Sequence, residues 1–423
     1  MNVASVDPVS PEGPVPTGFP GKPPAAKPVV LVFSRYYLPG FRAGGPIRTI
    51  ANIVERLGDK FEFRVIASDR DLGAQIPYPD ADHARWLSRG KAMIRYVAAE
   101  RFGLREVAEI VRSTPHDVIY LNSFYDPRFT QQVLVNERLG RLAGRPIVLA
   151  PRGEFSEGAQ RLKRLKKSIF LRAAKMVGLY EDLVWQVSSL HEAQDVQRAL
   201  HVGQPKGLRG SLVVTGHMAS ALDDAGSTKN IARSGDGSRL RICFLSRVSP
   251  MKNLDYALSA LVLVRTPVCF TIYGPIEDES YWSKCRELIS LLPSHIEVKY
   301  EGEVEHACVV ETLATHDLFF LPTRGENFGH VIHEAMKAGL PLLISDQTPW
   351  RQLVEAGVGW DLPLDNASSF AQRIEDVAKW TDVQRTEAAT RCRQLAQRRG
   401  DDVATVVAHE RLFLDAILTR TPR

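Results

Sequence analysis

The sequence predicts an α/β chain built as two doubly wound parallel-sheet domains that face each other across a cleft, with a C-terminal helix closing back. Three observations carry that prediction. Short apolar or β-branched runs alternate with helix-length amphipathic segments, as in the βα units of a parallel sheet. The alternation occurs twice, on either side of a polar stretch rich in Gly and Ser, DDAGSTKNIARSGDGS at 223–238. The chain has 423 residues, more than a single core normally organises.

In chain order, residues 1–27 are rich in Pro and Gly and lack the basic-then-apolar layout of a secretory signal, so they read as a disordered tail. A first domain over 28–210 has expected strands at Val29–Phe33, Phe63–Ala67, Val118–Leu121 and Ile147–Ala150, and helices starting near Pro46, Arg128 and Ala159. A linker is expected over 211–238. The second domain, 239–400, has expected strands at Arg241–Leu245, Val268–Tyr273, Leu318–Leu321 and Leu340–Ile344, with helices starting near Asn253, Glu279, Phe328 and Ala367. Leu254, Ala257, Leu258, Leu261 and Val264 give the first of these helices an apolar face. The remainder, 401–423, carries Val403, Val406, Val407, Phe413, Leu414 and Ile417 as one stripe, which predicts an amphipathic helix packing back toward the first domain.

Apolar and charged contents of 44% and 24% are those of a soluble globular protein. No apolar run approaches the ~18–20 residues needed to cross a bilayer, so a cytoplasmic location is expected. Cys243, Cys269, Cys285, Cys308 and Cys392 form no C-x-x-C pair and read as thiols in a reducing compartment. A net charge of +5 suits acidic ligands such as phosphates or anionic lipid and does not imply nucleic acid.

Open parallel sheets bind ligands at the carboxyl ends of their strands, so function is sought in the turns that follow strands. After the first strand, Gly44-Gly45 precede Pro46, a pattern that fits either a plain loop or a helix start admitting an anion to its backbone N–H groups. It is not G-x-G-x-x-G, which argues against a dinucleotide dehydrogenase. After the strand at 241–245, SRVSPMKNL carries Arg247 and Lys252, either solvated surface cations or a pair that meets phosphate from the cleft. The strongest signal is RGENFGHVIHEAMKAG. A loop bracketed by Gly325 and Gly329 leads into a helix closed by Gly339, leaving the amides of Asn327, Phe328 and Gly329 as donors at a positive helix end. Glu326 and Glu334 stand eight positions apart, ~12 Å if the span were wholly helical, too far to share a proton and suited to holding hydroxyls at the two ends of one ligand. The bland alternative is a loop acid and a helix acid favouring the dipole. His330 and His333 lack a further ligand, so no metal is expected.

Taken together, SRVSPMKN, IYGP and the E-x7-E of ENFGHVIHE followed by AMKAGLPLLISD resemble the retaining glycosyltransferases of family 4, which have the two-domain GT-B fold. YLPGFRAGGPIRTI, LNSFYDPRF and APRGEFSEGA are similar to a bacterial polysaccharide-assembly branch of that family. The resemblance implies a hexosyltransferase that uses a UDP- or GDP-linked sugar as co-substrate, without a cofactor, and a saccharide or lipid-linked acceptor in exopolysaccharide or surface polysaccharide synthesis. Arg247, Lys252 and Glu326 would be its catalytic groups. Arg247 and Lys252 would neutralise the diphosphate, Glu326 would hold the transferred sugar and Glu334 the ribose. Gly44 and Gly45 would close over the diphosphate, and Gly274, Asn327, Phe328 and Gly329 would complete the donor site. Where many members carry a His-containing loop, this chain reads APRGEF, which leaves Arg152 and Glu154 as the acceptor-side polar groups. Thr348 and Trp350 are expected to line the sugar pocket. RLKRLKKS, 161–168, is either a solvated basic face or a peripheral contact with anionic lipid. A nucleotide-sugar epimerase and a catalytically silent binding protein on the same frame are the competing readings.

Overall fold

The computed structural model describes residues 26–142, 144–156, 164–202, 208–219, 239–400 and 402–419. The expected tail to residue 25, the expected helix start at Ala159 and most of the expected linker lie outside them. The first sheet comprises β1 (Val29–Phe33), β2 (Glu62–Ser68), β3 (Leu87–Arg89), β4 (Ala92–Val97), β5 (Val118–Asn122), β6 (Ile147–Ala150), β7 (Leu183–Val187) and β8 (Gly210–Val214), in the order β3-β4-β2-β1-β5-β6-β7-β8. Its helices are α1 (Gly45–Leu57), α2 (Leu104–Ser113), α3 (Gln132–Arg138), α4 (Arg164–Met176) and α5 (Leu190–Leu200). The second sheet has β9 (Leu240–Leu245), β10 (Val268–Tyr273), β11 (Ile296–Gly302), β12 (Leu318–Leu321), β13 (Leu342–Ser345) and β14 (Gly359–Leu362), in the order β11-β10-β9-β12-β13-β14. Its helices are α6 (Leu254–Leu261), α7 (Glu279–Ser290), α8 (Val309–Ala314), α9 (His330–Ala338), α10 (Ala367–Ala378) and α11 (Asp382–Gly400), and α12 (Val403–Thr419) ends the described chain.

Apart from β3, which pairs antiparallel with β4, the ladders are parallel. In each sheet the first strand, β1 or β9, is flanked on both sides, so the order reverses there and opens a crevice at the carboxyl ends. The central strands are buried on both faces, which is why they read as continuous apolar runs.

Several boundaries differ from the sequence expectation for identifiable reasons. The strand expected at Leu340 begins at Leu342, because the Leu340 amide donates to the Ala335 carbonyl (2.9 Å) at the end of α9 and cannot join the ladder. The helix expected near Phe328 begins at His330. The helix expected near Arg128 opens as a π-turn over Pro127–Gln131, capped by Asp126, which accepts from the amides of Arg128 (2.9 Å) and Phe129 (2.6 Å). Gly210–Val214, which runs from the expected end of the first domain into the stretch expected to be linker, is the edge strand β8 of the first sheet.

Chain crossing back over the first domain is carried by α12. Leu412, Phe413 and Ala416 enter the first-domain core with Phe61, Phe63 and Tyr120. The buried face is not the stripe expected from apolarity alone: Val403 is 70% exposed, while Thr405 and His409 are buried. His409 Nε2 meets Gln186 Nε2 of the first domain at 3.2 Å, while the Thr405 hydroxyl bonds Asp402 at the helix's own start.

Candidate functional site

A cleft of about 1140 Å³ lies between the carboxyl ends of the two sheets. Its lining includes Gly44, Gly45, Arg152, Glu154, Arg247, Lys252, Gly274, Glu326, Asn327, Phe328, Gly329 and Glu334, which brings together the diphosphate, sugar, ribose and acceptor-side candidates named from the sequence; Trp350 is not among the lining residues.

On the first-domain side, the loop after β1 approaches the cleft with Gly44 at φ 67, a left-handed turn that sets up the Pro46 start of α1. Asp71 fixes the preceding residues by accepting from the amides of Phe41 (2.8 Å) and Arg42 (3.1 Å). Arg42 Nε then reaches across to Glu303 of the second domain (2.8 Å), and the Thr49 hydroxyl on α1 lies 2.9 Å from His330 Nε2.

On the second-domain side, the loop after β9 is stapled to the loop after β12. Asn253 Nδ2 donates to the Pro322 carbonyl (2.9 Å), Arg324 Nε donates to Asn253 Oδ1 (2.9 Å), and the Arg324 amide donates to the Met251 carbonyl (2.9 Å). This cross-stapling places the Lys252 ammonium on Glu326 Oε1, with the two side chains 12% and 13% exposed. Arg247 pairs with Glu277 at 2.7 Å. Gly274 passes so close to β9 that a Cβ would meet the Ser246 carbonyl oxygen at 2.1 Å, so no side chain fits there. No backbone acceptor among the described residues takes the amides of Asn327, Phe328 or Gly329. They remain donors just ahead of α9. Glu334, one turn further along α9, faces the cleft 3.4 Å from His306 Nδ1. Burial pushes its carboxyl up, against the opposing pull of Arg48 and Lys337.

At the floor, Arg152 stands at φ 57 and donates to Asn122 Oδ1 (2.7 Å from Nη2) and to the Tyr120 hydroxyl. Tyr120 donates in turn to Gln186 Oε1 (2.5 Å). Gln186 Nε2 reaches Thr215 Oγ1 (2.9 Å) and His409 Nε2 (3.2 Å) on α12. The C-terminal helix thus holds the far end of a buried network whose near end is the cleft cation. Glu154 lines the cleft as well, with its carboxylate engaged by neighbouring loops. It accepts from Ser123 Oγ (2.6 Å) and from the amides of Phe124 (2.5 Å) and Tyr125 (3.1 Å), tying two loops together, and burial pushes its carboxyl up against those bonds.

Trp350 departs from the expectation. Thr348 lines the cleft, but Trp350 is buried behind it, donating from Nε1 to the Phe328 carbonyl (2.5 Å) and packing on Phe328 and His333. It supports the donor-side loop from beneath. His333 bonds the Ala396 carbonyl (3.0 Å) while His330 faces Thr49, so the two rings do not converge. Burial pushes both below the usual imidazole range, His333 to about 4.

Sequence reasoning did not single out Arg48, Thr49, Glu192, His217 or His306, all of which line the cleft. His217 follows β8 and stacks on Phe328 (4.6 Å between ring centres), yet it lies in a stretch whose composition signals linker. Glu192 accepts from the amides of Gly153 (2.5 Å) and Ser188 (2.8 Å), and Ser188 Oγ in turn donates to Asn327 Oδ1 (3.1 Å) across the cleft. The sole hint of Glu192 in the sequence is its place three residues into α5 after Ser189, as in a capping box.

Residues 228–399 match the family model of glycosyl transferases group 1. A phosphatidyl-myo-inositol mannosyltransferase of Mycobacterium leprae is 28% identical over 141 residues, 31% of this chain and 36% of the relative. The match spans about a third of that relative's length. Among solved structures, sucrose-phosphate synthase from Thermosynechococcus elongatus aligns with a TM-score of 0.66 at 15% identity, over 93% of this chain and 100% of that one. Anabaena Alr3699/HepE in complex with UDP-glucose aligns with a TM-score of 0.63 at 18% identity, over 92% and 98%. These likenesses establish the two-domain GT-B fold. No helix among the described residues is long and apolar enough to cross a membrane.

Proposed function

We propose that the chain is a retaining glycosyltransferase that moves a hexose from a UDP- or GDP-linked donor to a saccharide or lipid-linked saccharide acceptor in the assembly of an exopolysaccharide or surface polysaccharide. One observation carries the reading: Lys252 and Glu326 meet in the cleft beside three amides without a backbone acceptor and with Arg247 nearby, facing the Gly44-Gly45 turn of the other domain. Two cations and helix-end amides suit a diphosphate, whose charge grows as the glycosyl bond breaks. Glu326 and Glu334 suit the sugar and ribose hydroxyls at its two ends. In the proposed step the bond from the sugar carbon to phosphate oxygen breaks, the acceptor oxygen bonds to that carbon on the same face, and the departing phosphate oxygen takes the acceptor proton. No carboxylate base is required.

The test is a panel of UDP- and GDP-hexoses. A true donor at 100 times its Kd stabilises the folded chain by about 2.7 kcal/mol, read as a rise in thermal midpoint. Release of nucleoside diphosphate must then depend on added acceptor. Conversion of donor to a new sugar without acceptor would overturn transfer in favour of epimerisation. Arg247→Ala is expected to weaken UDP or GDP binding by about 10-fold, as loss of one charge-assisted hydrogen bond does, with unchanged calorimetric affinity contradicting the diphosphate role.

A further inference from the structure

Arg152 is a cation held in position without an ion pair among the described residues, the closest-linked carboxylate, Glu192, being taken by the Gly153 amide. Nε and Nη2 spend their protons on neutral groups, Asn122 Oδ1 and the Tyr120 hydroxyl, and the Tyr120 ring lies beneath the guanidinium at 5.8 Å. Among the described residues it has no ion pair, and Nη1 makes no hydrogen bond. The residue nonetheless keeps a left-handed backbone, and its side chain lines the cleft. Nearby, His217 Nε2 is shielded from water and has no hydrogen-bond partner among the described residues. Burial, with Arg152 and His409 adding to it against a backbone hydrogen bond to Asn327, pushes that imidazole down to about 3, so the ring is neutral at pH 7 and lies within electrostatic reach of Arg152.

A guanidinium anchored this way, with one nitrogen unused, is preorganised for an anion. The donor diphosphate already has Arg247, Lys252 and the amides of the opposite domain. Arg152 stands where the domains meet, since a Cβ on the next residue, Gly153, would approach Asn327 Cβ at 3.1 Å. We propose that Arg152, with His217 beside it, is an anion site on the first-domain wall that takes a carboxylate or phosphate carried by the acceptor. This assignment of acceptor class rests on the transferase reading above.

The experiment titrates the full chain with sodium phosphate and with sodium glucuronate, first alone and then saturated with whichever of UDP or GDP binds. Saturable binding of at least one anion to the nucleotide-loaded protein is expected. Arg152→Gln should weaken it by about 10-fold or more, and Arg152→Lys should recover part of the loss. Should Arg152→Gln not fold, histidine NMR of the wild-type chain keeps the question open to refutation: the His217 ring signals, assigned with His217→Gln, must shift during the titration. The proposal is overturned if neither anion binds the loaded protein, if Arg152→Gln binds as well as wild type, if the His217 signals stay fixed, or if the anion and the nucleotide displace each other. Phosphate versus glucuronate preference separates a phosphorylated acceptor from a uronate-bearing one. If neither nucleotide binds while phosphate still binds through Arg152, the transferase reading falls and the anion site stands.

Discussion

Glu326→Ala is expected to lower kcat for sugar transfer by about 10²–10³-fold, the usual consequence of removing a group that acts on the transition state. The backbone at this position does not depend on the side chain, because the Glu326 amide donates to the Gln347 carbonyl at 3.0 Å. Lys252 and Glu326 pair in the cleft, and in the proposed reading a donor would divide that pair, bringing phosphate to the ammonium and sugar hydroxyls to the carboxylate. In the variant Lys252 keeps its charge and loses its competitor, so affinity for UDP or GDP should hold or rise while turnover collapses. Glu326→Gln, which keeps the hydrogen-bonding shape, should fall between the two. Single-turnover kinetics with calorimetric nucleotide binding reads both quantities. Near wild-type turnover, or a loss wholly accounted for by weaker nucleotide binding, would remove Glu326 from the chemistry.

Phe413→Ala should destabilise the chain by about 3–5 kcal/mol, the range for truncating a buried aromatic. The Phe413 ring is fully buried and meets Tyr120 (5.3 Å, edge-on), Phe61 (5.6 Å) and Phe63 (6.2 Å). Since Tyr120 also holds Arg152, the cavity sits directly beneath the cleft floor, and transfer is expected to weaken along with stability. Val403→Ala, on the exposed side of the same helix, should stay within about 0.5 kcal/mol of wild type. Urea unfolding of both variants decides the matter. An unchanged midpoint for Phe413→Ala would mean that α12 does not dock on the first domain in solution.

Much of the second domain was legible because its signals are local. Strands buried on both faces show as apolar runs, and the Asn253 and Gly339 ends of α6 and α9 carry the residue types those positions favour. Strands at the sheet edges were not legible, and neither were β4 and β7 inside the first sheet. In β11 the sequence IEVKYEG leaves Lys299, Tyr300 and Glu301 exposed, and β3 is three residues long. Such strands form because a neighbour offers a ladder, which composition does not encode. The same holds for Trp350 and Glu154. Trp350 fits a pocket by residue type, yet its acceptor, the Phe328 carbonyl, holds it behind the wall, and Glu154, though it lines the cleft, spends its oxygens on Ser123, Phe124 and Tyr125.

Local chemistry written along the chain therefore suffices for four parallel strands in each sheet, the turns that meet the cleft and the E-x7-E loop, because periodicity and turn preferences act over a few neighbouring residues. The pairing of Lys252 with Glu326, the face that α12 turns to the first domain and the network joining Arg152, Tyr120, Gln186 and His409 arise from folding alone. Those partners are far apart in sequence, and a buried polar group settles on whichever partner the packed domains bring within hydrogen-bond reach.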